Sequence, residues 1–362
     1  MNQGQPCITG VGSVSPFGPL KGLLPRKDIQ PRAIAAWPTD GLRRAFLVEP
    51  FRPAEVVPGL KTRRLDRLSV WCLVAASLAI EDARLNLAVE DRSRVAVVLG
   101  TGFGCIELAE GFFQSMAANG YAHADPISFP ESLANSPASH VARVLGIRGP
   151  NITLTHKHVS GEQAIIQASA LLRSGQADVA IVLAGDVLTR TMYEWFEAAS
   201  LLSQACFREV PAPAPFSADR DGFVPGEGAT AVVMESAERA GKRGAKVYAG
   251  FQSGFVTSDS KAGVSLARRA LGSSSLDDIG LIVASANGSR VLDSVEQTVI
   301  REAFGAGPPV IAPKASLGEC DSNGLLRLIA GLSWSERSTH SLAILLGGAP
   351  TGVCAALSFE LG

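Results

Sequence analysis

The segment that most constrains this chain is Gly149-Pro150-Asn151-Ile152-Thr153-Leu154-Thr155-His156-Lys157-His158-Val159-Ser160-Gly161, a β-branched run that bends into a helical pattern. The helix is expected from Ser160 to Leu172. A side chain on such a bend sits at a helix N-terminus, where unpaired N–H groups and the positive end of the macrodipole favour developing negative charge. Enzymes place nucleophiles there. Buried strands should surround the bend: residues 94–102 and 178–185 are nearly all apolar and end in glycine, the mark of strands covered on both faces.

Helical patterns over 65–85, 106–117 and 136–145 alternate with these strands. In the second half, strands are expected at 229–235, 246–254, 279–286, 341–347 and 353–359, and helices at 263–271, 294–304 and 323–334. The fold class is therefore α/β in layers. Gly10-Val11-Gly12 opens like a dinucleotide-binding loop, but Ser15 stands where the third glycine belongs and no helix pattern follows.

With 33 Lys and Arg against 34 Asp and Glu, no basic field points to nucleic acid, and 362 residues at 46% hydrophobic can bury a large core. The first residues, beginning Met1-Asn2, lack a basic and apolar leader, and no stretch of about 18 apolar residues escapes a charge or a Pro/Gly break. The expected setting is cytoplasmic, with no membrane span. Cys7, Cys72, Cys105, Cys206, Cys320 and Cys354 are scattered singly, which argues against disulfides and structural zinc. Cys320 lacks a strand-to-helix bend with an adjacent base, so it too reads as a buried thiol rather than a nucleophile.

Several motifs together resemble the β-ketoacyl synthases of the thiolase superfamily. Cys7-Ile8-Thr9-Gly10-Val11-Gly12-Ser13-Val14-Ser15-Pro16 is similar to their first strand, and the 149–161 bend to their nucleophile turn. The most specific match is Pro215-Phe216-Ser217-Ala218-Asp219-Arg220-Asp221-Gly222-Phe223-Val224-Pro225-Gly226-Glu227-Gly228-Ala229, in which Arg220, Asp221 and Glu227 suit an ion-paired turn. The resemblance covers nearly the whole chain. It implies a thiolase-like fold of duplicated, layered α-β-α-β-α halves, with residues 1–212 forming the half that carries the nucleophile turn and 213–362 the other.

Position by position, the resemblance implies a dismantled site. When Ser160-Gly161 is laid on the family's S-G, its acyl-accepting cysteine falls on His158. Asn287 stands for the first family histidine and Glu319 for the second, while Lys314 is retained and Asp293 and Glu296 resemble the acidic pair. An acyl-imidazole is hydrolysis-prone, and an anionic Glu319 repels the enolate that two imidazoles stabilise. The gating turn reads Leu345-Leu346-Gly347-Gly348-Ala349-Pro350-Thr351-Gly352, without the family's Phe and Asn.

A chain-length factor, the altered partner subunit of type II polyketide and polyene ketosynthases, resembles this pattern, although such subunits commonly put Gln at the cysteine position. It implies a heterodimer with an active ketosynthase, contact with acyl carrier protein and no cofactor. If the family dimer holds, Asn151–Thr155 pairs with the partner's strand, and Ile106, Phe112, Phe113, Phe196 and Leu346 are candidates for the tunnel or interface. Ordinary core packing is the competing reading for the aromatics.

Two rivals stay open. His158 beside Glu319 and Asn287 could serve as general base or acyl acceptor in a decarboxylase, hydrolase or acyltransferase on thioesters; a scaffold that binds acyl carrier protein without a tunnel is the other. A metal site from His156, His158 and Glu319 is not expected, because no further protein ligand is evident.

Overall fold

A computed structural model describes residues 3–35, 37, 41–63, 65–320, 322, 324–335, 341–348 and 352–362, with the backbone alone at Ser260. Met1, Asn2, the expected helix start Asn323, and Ala349, Pro350 and Thr351 of the gating turn lie outside the described residues.

Ten strands run across one long sheet in two repeats, and an eleventh, Gly18–Lys21, pairs with the first of them. In chain order the ten are β1 (Pro6–Ser15), β2 (Val95–Gly100), β3 (Asn151–Leu154), β4 (Val179–Asp186), β5 (Gly228–Ser236), β6 (Ala249–Thr257), β7 (Ile279–Val283), β8 (Val310–Ile311), β9 (Leu342–Gly348) and β10 (Cys354–Leu361). Across the sheet they run β3-β2-β4-β5-β1-β6-β10-β9-β7-β8. Each strand of the first five thus has its counterpart five places later. The pairing senses repeat as well: β2 is parallel to β3 and β4, as β7 is to β8 and β9, and the remaining neighbours are antiparallel. The repeats meet where Cys7 and Ile8 pair with Gly250 and Ala249. The expected duplication is therefore present. β5 follows residue 212 yet lies between β1 and β4, so strands from both sides of the 212/213 division build the first repeat.

The longer helices are α1 (Arg67–Asp82), α2 (Ile106–Asn119), α3 (Ser136–Leu145), α4 (Ser160–Arg173), α5 (Arg190–Ala198), α6 (Gly263–Leu271), α7 (Arg290–Phe304) and α8 (Gly324–Ser335). α4 and α8 pack together between the repeats, α1 and α3 cover the outer face of the first, and α6 and α7 that of the second. These are the five expected layers. Continuous apolar runs make β2 and β4 wholly buried. α1 starts where the Asp66 carboxylate accepts from the Leu68 amide at 2.7 Å.

Gly10 and Gly12 lie inside β1, and a Cβ there would stand 2.2 and 2.3 Å from the Ala79 and Ala75 carbonyls of α1. These glycines let a helix press onto a strand, which disposes of the phosphate-loop reading. Among the described residues no helix is long and apolar enough to cross a membrane.

Candidate functional site

β3 ends at Leu154, and the chain passes through a single 3-10 turn, Lys157–Val159, before α4 begins. The bend is fixed from within. The Ser160 hydroxyl accepts from the His156 amide at 2.7 Å and lies 2.8 Å from the Lys157 carbonyl. A Cβ on Gly100 would stand 2.2 Å from the Ser160 carbonyl, so the turn abuts the end of β2 directly. Lys157 takes φ +50°, a conformation L-residues adopt at a cost, and its ammonium rests 3.8 Å from the Phe103 ring centroid.

His158 sits half-buried on this turn, and His156 is exposed with Nδ1 2.6 Å from the Gln163 amide nitrogen. The strand alternation that would set both rings on one face is absent, because β3 ends at Leu154, two residues before His156. Among the described residues no group of three or more His, Cys, Asp or Glu is placed to hold a metal ion.

The structure brings Asn287, Lys314 and Glu319 into one cluster. The Lys314 ammonium donates to both Glu319 oxygens, at 2.7 and 2.8 Å, and lies 3.5 Å from the Ser285 hydroxyl. The Asn287 amide donates to Glu319 Oε2. Only 7% of the Lys314 side chain and 2% of the Glu319 side chain are exposed. Behind them, Asp293 accepts from the Asn287 amide at 3.0 Å and the Phe216 amide at 2.9 Å, and Glu296 accepts from the Ser285 amide at 2.7 Å. Burial pushes the Glu296 carboxyl above its ordinary range, opposed by the Ser285 hydrogen bond and the charges of Arg327 and Lys314.

The 215–229 motif holds this cluster in place. The Gly222 amide donates to the Gly288 carbonyl at 3.1 Å, the Gly226 amide to the Glu319 carbonyl at 2.8 Å, and the Glu319 amide to the Val224 carbonyl at 2.8 Å. Gly226 is required, since a Cβ would fall 2.2 Å from the Leu317 carbonyl. Glu227, buried, accepts from the Val48 and Leu188 amides and from Arg67. Asp221 accepts from the Gln204 amide at 3.1 Å, and Arg220 lies 3.8 Å from Asp293.

The tunnel and interface candidates separate. Phe196 is buried, edge-on to Phe223 at 5.2 Å between centroids, and half-buried Ile106 packs on the same cluster. Leu346 is buried in the core of the second repeat. Phe112 and Phe113 belong instead to a surface cluster with Phe129, and Phe113 is 61% exposed.

The cysteines are buried or half-buried free thiols. Burial pushes those of Cys7 and Cys206 up to about 12, away from any nucleophilic role at neutral pH. Cys320 is buried, with its sulfur 3.8 Å from the Asp186 carbonyl. Asp186 is a residue sequence reasoning passed over: its carboxylate accepts from the Thr101 hydroxyl, the Gly102, Phe103 and Ser322 amides, and the Ser322 hydroxyl. It ties the loop after β2 to the segment after Glu319. Its signal was a lone acid ending an apolar strand.

Repeat order, layering and the composition of the bend define a thiolase-fold protein of the ketosynthase type. The model of the β-ketoacyl synthase N-terminal domain matches residues 12–240, and the chain belongs to that family. It is 30% identical to the chloroplastic 3-oxoacyl-[acyl-carrier-protein] synthase I of Arabidopsis thaliana, over 86% of this chain and 71% of that one. It is also 30% identical to 3-oxoacyl-[acyl-carrier-protein] synthase 2 of Vibrio cholerae, over 69% of this chain and 62% of the relative. The chain thus spans about six-tenths of the latter's length. Among solved structures, the ishigamide ketosynthase/chain length factor superposes with a TM-score of 0.87 at 22% identity, covering 99% of both chains.

Proposed function

We propose that this chain is a non-condensing ketosynthase-like subunit of the chain-length-factor type, which pairs with an active β-ketoacyl synthase and helps shape the acyl tunnel in polyketide, polyene or fatty-acid-like synthesis. The observation that carries this reading is the state of Glu319. Its carboxylate is enclosed by Lys314 and Asn287 and almost wholly shielded from solvent. A catalytic group at this position must meet a thioester or enolate oxygen, and an ion-paired carboxylate offers that oxygen no hydrogen to accept.

Pairing with a second chain fits the surface of the first repeat. β3 is the end strand of its half of the sheet. Such an edge invites a further strand. In the same repeat α2 buries none of its residues, and Phe113, Tyr121, Ile127 and Phe129 are exposed. A face this apolar is characteristic of an interface. A carrier protein would deliver the acyl groups.

A second reading keeps chemistry at His158, on the observation that its ring is only half-buried at the start of α4. Intact-mass measurement separates the two. The purified chain, alone and with a ketosynthase encoded beside it, is mixed with malonyl- and acyl-loaded carrier protein. An inert, unmodified chain, with condensation only in the partner's presence and unaffected by His158→Ala, is expected. Decarboxylation, hydrolysis or acyl transfer by the chain alone, abolished by His158→Ala, would overturn the non-catalytic reading.

A further inference from the structure

A second buried ion pair lies immediately behind the bend. Glu162, in the first turn of α4, and Arg327, in the first turns of α8, are both almost completely buried, and the Arg327 guanidinium donates to Glu162 Oε1. The same guanidinium donates to the Leu346 carbonyl at 2.5 Å and the Ala284 carbonyl at 3.2 Å. One side chain thereby joins the helix behind His158, the residue just past the end of β7 on the way to Asn287, and the C-terminal part of β9.

Small residues make room for the carboxylate. A Cβ on Gly324 would stand 2.4 Å from Glu162 Oε2, and one on Gly347 2.7 Å from Oε1. Among the described residues Glu162 Oε2 has no hydrogen-bond partner. An incompletely satisfied buried pair is a poor way to gain stability, since apolar residues of similar volume often serve as well or better. What it supplies is geometry: a planar guanidinium with three fixed acceptors admits one arrangement of the segments it joins.

We infer that the Glu162–Arg327 pair is a positioning device that holds the Leu346 end of β9 and the Ala284–Asn287 segment at a fixed place against the helix behind His158. In the proposed subunit, on which the consequence for products rests, this fixes the wall offered to a growing acyl chain and so narrows the range of lengths released. The N-terminal turns of α4 and α8 belong to different repeats, so the pair also sets the spacing between the repeats at the site.

The test is hydrogen exchange followed by mass spectrometry on the full chain, comparing wild type with the double variant Glu162→Leu/Arg327→Met and with Arg327→Lys. The double variant keeps apolar volume. The single one keeps charge but loses the planar fork. In both, amides in 281–285 and 344–348 are expected to exchange at least about tenfold faster, with those of β1 and α1 unchanged, because the loss is confined to the clamped segments. Equal protection in wild type and in either folded variant would overturn the inference, as would uniform loss across the chain. With the partner ketosynthase, the double variant is then expected to spread the product lengths. An unchanged product profile despite faster exchange would overturn the link to length, whereas absence of any product with wild type would count against the proposed function and leave the exchange result to judge the clamp.

Discussion

The Lys314 ammonium spans both carboxylate oxygens of Glu319, at 2.7 and 2.8 Å, five residues apart on either side of a helical turn. Lys314 thereby neutralises Glu319, the residue that the resemblance sets at a family histidine position. Lys314→Met leaves a buried carboxylate with only the Asn287 amide, and a stability loss of about 3–5 kcal/mol is expected. Lys314→Met combined with Glu319→Leu should recover most of it. Urea unfolding of the two variants decides the matter, and a double variant as weak as the single one would mean that the ion pair is not the source of the loss.

If His158 holds the position of the family's cysteine, putting that nucleophile back alone should not restore the reaction. His158→Cys puts a thiol at the start of α4 and is expected to take up an acyl group from acyl-loaded carrier protein, visible as added mass. Condensation with malonyl units should remain at least about 100-fold below an intact ketosynthase, since each missing donor to a developing oxyanion costs on that order. Only with Asn287→His and Glu319→His added is condensation expected. Efficient condensation by His158→Cys alone would show that Glu319 is no obstacle.

Glu296 predicts a pH dependence of stability. Burial raises its folded carboxyl above the unfolded value near 4.5. A raised group holds its proton more tightly in the folded state, so its contribution is fully present below about pH 4.5 and is lost as pH rises through the folded value. Glu162 is pushed the same way by burial, against Arg327. Thermal melts of Glu296→Gln across this window should therefore fall less steeply with pH than those of wild type, with part of the slope remaining. Parallel curves would assign the slope elsewhere.

The fold was legible because its strongest signals are local. The apolar runs of β2 and β4, the stripe of α1 and the bend before Ser160 state their structure within about ten residues each. α5 went unread: it is nine residues long and begins at a Thr189 cap that depends on the Met192 amide. α7 begins at Arg290 rather than Ser294, because Ser289 caps it directly after the Asn287-Gly288 turn. At the site, alignment to the family's motifs picked out Asn287, Lys314 and Glu319, which meet in space. Glu162, Arg327 and Asp186 match no motif, and each acts on segments more than 80 residues away in at least one direction. A charge inside an apolar helix or strand was their sole trace, and burial of its partner is a property of the folded chain.

The surface around α2 makes the last prediction. Phe113 is largely exposed and touches Phe112, which in turn meets Phe129, with centroid separations of 5.6 and 5.7 Å. Two exposed rings and a half-buried third leave apolar surface in water, and the end strand β3 lies in the same repeat with Thr153 Oγ1 buried and without a hydrogen-bond partner among the described residues. If this face meets a ketosynthase, Phe113→Ser should change the chain's own unfolding free energy by no more than about 0.5 kcal/mol, as expected for an exposed site. Its affinity for the partner should fall at least tenfold, about 1.4 kcal/mol, because aromatic residues at the centre of an interface dominate binding. Sedimentation of the variant with the partner measures this. Undiminished assembly would remove α2 from the contact and direct attention to other apolar surface, and a large loss of intrinsic stability would mean that Phe113 serves this chain's own fold.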